Sequence, residues 1–304
     1  MYQVKRHSTR HFYPLRGHRY HVREWGNPQS KLPPLVLAHG WMDVSASWQF
    51  MIDAFSPEFV QARRILAADW RGYGLTEGPA FDSYWLPDYL GDLDELLNLM
   101  CPGQAIDLVG HSMGGNVVMM YAGARPDRIR RLVNLEGFGM AATRASQAPG
   151  RLSQWLDELQ ALKKGEMDLK PYPDADSVAK RLMKTNKRLS QDKADWLATQ
   201  WAQPTAQGEW RILGDAAHKV VNPYLYRVDE VLETYKRITA PTLVVEASDD
   251  SLSQWWKGKF TLEEFHERLK AVPQLQLATL QDAGHMLHHD QAEALAMLIE
   301  AFLV

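Results

Sequence analysis

The chain has 304 residues, 45% of them hydrophobic and 23% charged, with a formal net charge of −3. That length suits one large domain, or a domain carrying an insertion, whose core needs no covalent staples. The charge excludes the basic field that gathers phosphates, so nucleic acid is not an expected partner. Cys101 is the only cysteine, which rules out an internal disulfide and a thiolate metal cluster.

Residues 1–10 are polar and basic with no apolar segment behind them, so no signal peptide is expected. No run approaches the ~18 uninterrupted apolar residues of a membrane span. The expectation is a cytoplasmic protein without membrane contact. Residues 4–13 and 19–25, rich in β-branched and aromatic side chains, predict a hairpin turned at Arg16-Gly17. A short apolar run at 35–38 stops at His39-Gly40, and another at 65–68 stops at Asp69-Trp70-Arg71-Gly72. A helical repeat follows over 89–100, carried by Leu93, Leu96, Leu97 and Met100. The run 106–109 ends in Gly110-His111-Ser112 and leads into a helix at 117–124. The run 132–135 ends at Glu136-Gly137.

Between residues 139 and 237 no strand-like run occurs. Helical pieces at 152–162, 175–183 and 193–201 are separated by Pro and Gly. The pattern then resumes: a strand at 243–245 ending in Glu246 to Asp250, a helix at 262–269, a strand at 275–280 ending in Asp282-Ala283-Gly284-His285, and a helix at 292–302. Short strands apolar on both faces, alternating with helices, predict a doubly wound, mostly parallel α/β sheet. The strandless stretch is too long for a loop. It is expected to form a helical cap over residues 140–235, inserted in a core of residues 1–139 and 236–304.

Gly110-His111-Ser112-Met113-Gly114 matches G-x-S-x-G between a strand and a helix, the setting in which a tight turn lifts a serine hydroxyl above the sheet edge. A serine hydroxyl needs a base, and His285, on the loop after the last strand, is the candidate on that same edge. His285, His288 and His289 lack a nearby carboxylate or cysteine pattern, so no metal is expected there. The acid that orients the imidazole has two candidates at strand ends, Asp250 and Glu136; Asp250 is favoured. The backbone N–H groups of Met113 and Trp41 are the expected oxyanion donors. His39 reads as a brace for its loop, and Gly72-Tyr73-Gly74, lacking a third glycine and an acidic partner, reads as a turn.

His39-Gly40-Trp41, Asp69 to Gly74, Gly110 to Gly115 and Asp282 to His285 together resemble, in order and spacing, the α/β-hydrolase superfamily, over residues 3–139 and 236–304. The resemblance implies an eight-stranded sheet, a cap inserted after the sixth strand, and no cofactor. It implies an acid after the seventh strand, where Ala247-Ser248-Asp249-Asp250 fits with alanine replacing the usual glycine. Dehalogenases and cofactor-free dioxygenases of the superfamily place the acid after the sixth strand, where this chain has Glu136. Epoxide hydrolases and dehalogenases carry Asp as nucleophile, and this chain has Ser112. The expected function is hydrolysis of an ester or similar acyl bond of a small, apolar or aromatic substrate, under a roof formed by Trp155, Trp196, Trp201 and Trp210. The alternatives are non-hydrolytic chemistry on the same scaffold, such as C–C cleavage, lyase or oxygenase reactions, and a non-catalytic ligand receptor.

Overall fold

Ten strands form in chain order: β1 (Thr9–Leu15), β2 (His18–Gly26), β3 (Leu35–Ala38), β4 (Arg64–Ala68), β5 (Ile106–His111), β6 (Ile129–Leu135), β7 (Ala202–Pro204), β8 (Trp210–Ile212), β9 (Thr242–Ala247) and β10 (Leu275–Leu280). The computed structural model describes residues 2–304. Eight strands make one sheet in the order β1-β2-β4-β3-β5-β6-β9-β10. β2 pairs antiparallel with β1 and with β4, and every other pairing in the sheet is parallel.

Successive side chains of the central strands point to opposite faces, and both faces are dry. Val36, Leu66, Leu108 and Val244 join a core on one face, packed under the helices Leu86–Met100 and Met113–Ala124. Leu37, Ala67, Val109 and Val245 join the core on the other, with the helices Gln49–Ala54 and Ala292–Leu303. This is why the strands read as continuous apolar runs. The chain leaves β3 for β4 on one side and returns to β5 on the other, so a topological switch lies between β3 and β5, where α/β sheets bind their ligands. Register lines up the carboxyl ends there: Ala38 lies opposite Gly110, His111 opposite Leu135, and Leu135 opposite Val245.

The segment after Gly139 corrects the expectation that it holds no strand. Besides the helices Ala148–Lys163, Ala175–Thr185 and Gln191–Trp201 it contains β7 and β8, an antiparallel pair with Ala202 opposite Ile212. These three-residue strands, one ending in Pro204, are too short to leave a two-residue periodicity, and they form their own sheet. Ala179, Leu197 and Ala198 build a small core there, which closes against Phe50 and Ala292. The last helix of the segment, Val228–Tyr235, behaves differently. Its Val231 and Tyr235 enter the main core, and a Cβ on Gly123 would stand 2.2 Å from the Thr234 carbonyl oxygen. That helix is a layer of the sheet domain.

Candidate active site

β5 ends at His111 and the next helix starts at Met113, so Ser112 alone makes the turn. Its backbone sits at φ 53°, ψ −116°, a conformation L-residues rarely adopt, held because the surroundings over-determine it. Its N–H donates to the Leu135 carbonyl at 2.8 Å, and its own carbonyl accepts from the Asn116 N–H at 3.0 Å. The flanking glycines are steric requirements. A Cβ on Gly110 would stand 2.4 Å from the Gly114 carbonyl oxygen, and one on Gly114 would stand 2.2 Å from that of Ala38.

The loop after β3 lies against this turn: a Cβ on Gly40 would come within 3.2 Å of the Ser112 Cβ. Trp41 follows directly, its exposed indole donating to the His218 carbonyl at 3.2 Å. Met113 occupies the first position of its helix, where N–H groups have no intrahelical acceptor. His39 is a brace. Its Nε2 accepts from the Trp70 N–H at 3.0 Å and its Nδ1–H donates to the Gly40 carbonyl at 2.8 Å, while burial lowers its pKa to about 4.

His285 places Nδ1 3.3 Å from Oε2 of Glu136, and the ring of Trp255 packs edge-on against it at 4.1 Å. Glu136 is 2% exposed, and its other oxygen accepts from the Ala247 N–H at 2.7 Å. Burial lifts this carboxyl to about 7, and burial pushes His285 down to about 3. The imidazole is therefore neutral at rest.

Asp250 does not meet His285, which corrects the favoured assignment of the acid. Its Oδ1 caps the helix Ser251–Trp256 by accepting from the Ser253 N–H at 2.8 Å. Asp249 pairs with Arg188 at 2.6 Å. The reason lies in register. Glu136 leaves β6 one residue past Leu135, between the elbow and the end of β9, whereas Asp250 is carried three residues beyond β9 to the mouth of a helix.

Ser112 and His285 line one cavity of about 830 Å³, walled by Met42, Leu182, Leu197, Trp201, Ile212 and Trp255. Charged side chains, among them Asp168, Lys170, Arg181 and Lys219, face it from the residues after Gly139. The expected tryptophan roof is corrected: of the four named, only Trp201 lines the cavity. Trp196 packs edge-on with Tyr2 and Phe50, Trp210 stands in β8, and Trp155 does not reach the cavity. Trp255, from the sheet domain, was not foreseen. Its local signal was the helix start at Asp250-Ser251.

The chain matches the family model described as alpha/beta hydrolase fold over residues 33–292 and belongs to that family. It is a hydrolase of the α/β fold. It is 23% identical over 284 residues to a serine hydrolase-like protein of Danio rerio, covering 92% of this chain and 83% of the relative. Over 115 residues it is 33% identical to 2-hydroxymuconate semialdehyde hydrolase of Pseudomonas sp. (strain CF600), covering 36% and 38% of the two chains. The thioesterase domain from a curacin biosynthetic pathway superposes with a TM-score of 0.79 at 26% identity, covering 97% of this chain and 99% of that one. Among the described residues no helix is long and apolar enough to cross a membrane.

Proposed function

We propose that the protein is a serine hydrolase that cleaves an ester or similar acyl bond of a small, largely apolar or aromatic substrate, with Ser112 as nucleophile, His285 as base and Glu136 as the orienting acid. The observation that carries this reading is the strained Ser112 turn opening on the same cavity as an imidazole whose Nδ1 faces a buried carboxylate. With Nδ1–H donated to Glu136, Nε2 is left with the lone pair that takes the serine proton. The N–H groups of Met113 and Trp41 would receive the oxyanion, and water would then release the acyl group from Ser112. The apolar wall suits an aliphatic or aromatic acyl group, and residues 140–227 would act as the lid over it. The names of the serine hydrolase-like relative and of the thioesterase domain agree with acyl transfer to water.

A fluorophosphonate probe is expected to add its mass to the peptide carrying Ser112 and to leave Ser112→Ala unlabelled. Labelling of another serine, with Ser112 free, would remove the nucleophile assignment. The acid after β6 favours a second reading, non-hydrolytic chemistry on this scaffold, because the resemblance associates that position with cofactor-free dioxygenases. Incorporation of one ¹⁸O from labelled water into the released acid separates the two.

A further inference from the structure

Asp43 follows β3, His111 immediately precedes Ser112, and His288 stands in the short helix Leu287–Asp290. One potential metal-ligating atom from each lies within 4.8 Å of the other two. All three residues are more than nine-tenths buried. Each also carries a buried atom without a hydrogen-bond partner among the described residues: Oδ2 of Asp43, Nδ1 of His111 and Nδ1 of His288. Buried polar atoms are almost always satisfied, so three unsatisfied ones in a single cluster call for an occupant.

The surrounding bonds say what kind. The Nε2–H of His111 donates to the His285 carbonyl at 2.7 Å, which leaves Nδ1 with a lone pair. Nε2 of His288 and of His289 lie 3.3 and 2.6 Å from Oγ of Ser47. In the tautomer whose Nε2–H donates to Oγ, His288 likewise keeps a lone pair at Nδ1. With Asp43 ionised the cluster presents three acceptors, while one water carries only two protons; burial lifts the Asp43 carboxyl to about 7, so a cation held there competes with a proton on that carboxyl. A cation serves all three. Holding the second ring nitrogen by a carbonyl or hydroxyl is also how metal-binding histidines are oriented.

We propose that Asp43, His111 and His288 bind a divalent first-row transition ion such as Zn²⁺ behind the nucleophile, and that its binding inhibits hydrolysis. Two imidazoles and a carboxylate are a ligand set such ions accept. Ligand atoms about 2.1 Å from a tetrahedral ion stand about 3.4 Å apart, so the widest pair closes by roughly 1–1.5 Å, within reach of side-chain rotation. Asp43 and His111 line the cavity, which supplies an entry path and leaves the fourth position to water. The His111 ring centroid is 4.7 Å from that of His285. A dication held there opposes the imidazolium that must form on His285 during acyl transfer. This inhibitory consequence rests on the proposed hydrolytic role; the binding itself does not.

The test has two arms. Chelator-treated protein is titrated with Zn²⁺ against a chromogenic chelator, and crystals soaked in Zn²⁺ are examined for anomalous scattering. One equivalent bound, an anomalous peak among the three residues, and an affinity at least tenfold weaker in both Asp43→Asn and His288→Gln support the site. No binding, or a peak only at surface histidines, overturns it and leaves the cluster to water. In the second arm, saturating Zn²⁺ is expected to slow turnover of a chromogenic ester at least tenfold in the wild type. His288→Gln, compared with its own metal-free rate, should resist. Binding at the trio without slowing would overturn the inhibitory role. An inactive protein that still binds Zn²⁺ at the trio would count against the hydrolase reading and not against the site.

Discussion

Glu136→Gln keeps the side-chain length and an acceptor for the Ala247 N–H while removing the charge beside His285. Across the 3.3 Å between Nδ1 and Oε2, at an effective dielectric of about 20, that charge stabilises the transition-state imidazolium by about 5 kcal/mol. Its loss corresponds to a fall in kcat of roughly 10³–10⁴, the scale known for the equivalent carboxylate of the serine-protease triad. KM should move far less, since the interaction strengthens only as the cation forms. The same substitution should stabilise the fold. Burial lifts Glu136 from 4.5 to about 7, so between these values the folded state holds a proton that the unfolded state has released, and stability falls as pH rises. The penalty grows from about 1 kcal/mol at pH 5 to about 3 kcal/mol at pH 8. Gln does not titrate, so urea unfolding should show the variant's advantage widening by about 2 kcal/mol across that interval. Wild-type turnover should rise with pH through about 7 as Glu136 ionises. Steady-state hydrolysis of a chromogenic ester checks the rates. A Glu136→Gln enzyme within tenfold of wild-type kcat, with Asp250→Asn the more damaged, would refute the reasoning.

Two further substitutions probe the scaffold. Asp250→Ala removes a helix cap and should cost about 1 kcal/mol in chemical unfolding; kcat should stay within about tenfold of wild type, and KM should shift because Trp255 rides on that helix. Gly114→Ala places a Cβ 2.2 Å from one backbone oxygen and 2.6 Å from another, neither able to swing aside. It should destabilise by about 3 kcal/mol or more, and a variant as stable as wild type by urea titration would contradict the elbow geometry.

What the sequence by itself determined was local. The turn at Ser112 is written in consecutive residues, because an apolar strand, a serine between glycines and a helix start leave few ways to connect. The strands β3, β5, β6 and β9 were legible because burial on both faces demands unbroken apolar runs. The hairpin β7–β8 was not, since three residues carry no period. Side chains whose role depends on distant partners were decided only by the tertiary structure. Asp250 and Glu136 look alike as carboxylates after strands, and strand order and register bring one of them to His285 and turn the other onto a helix. In the same way His288, expected to hold no metal for want of a carboxylate, meets Asp43 only because β3 and the segment after β10 converge on one edge of the sheet. Short-range sterics are encoded residue by residue, whereas a contact between residues 136 and 285 exists only once the sheet is assembled.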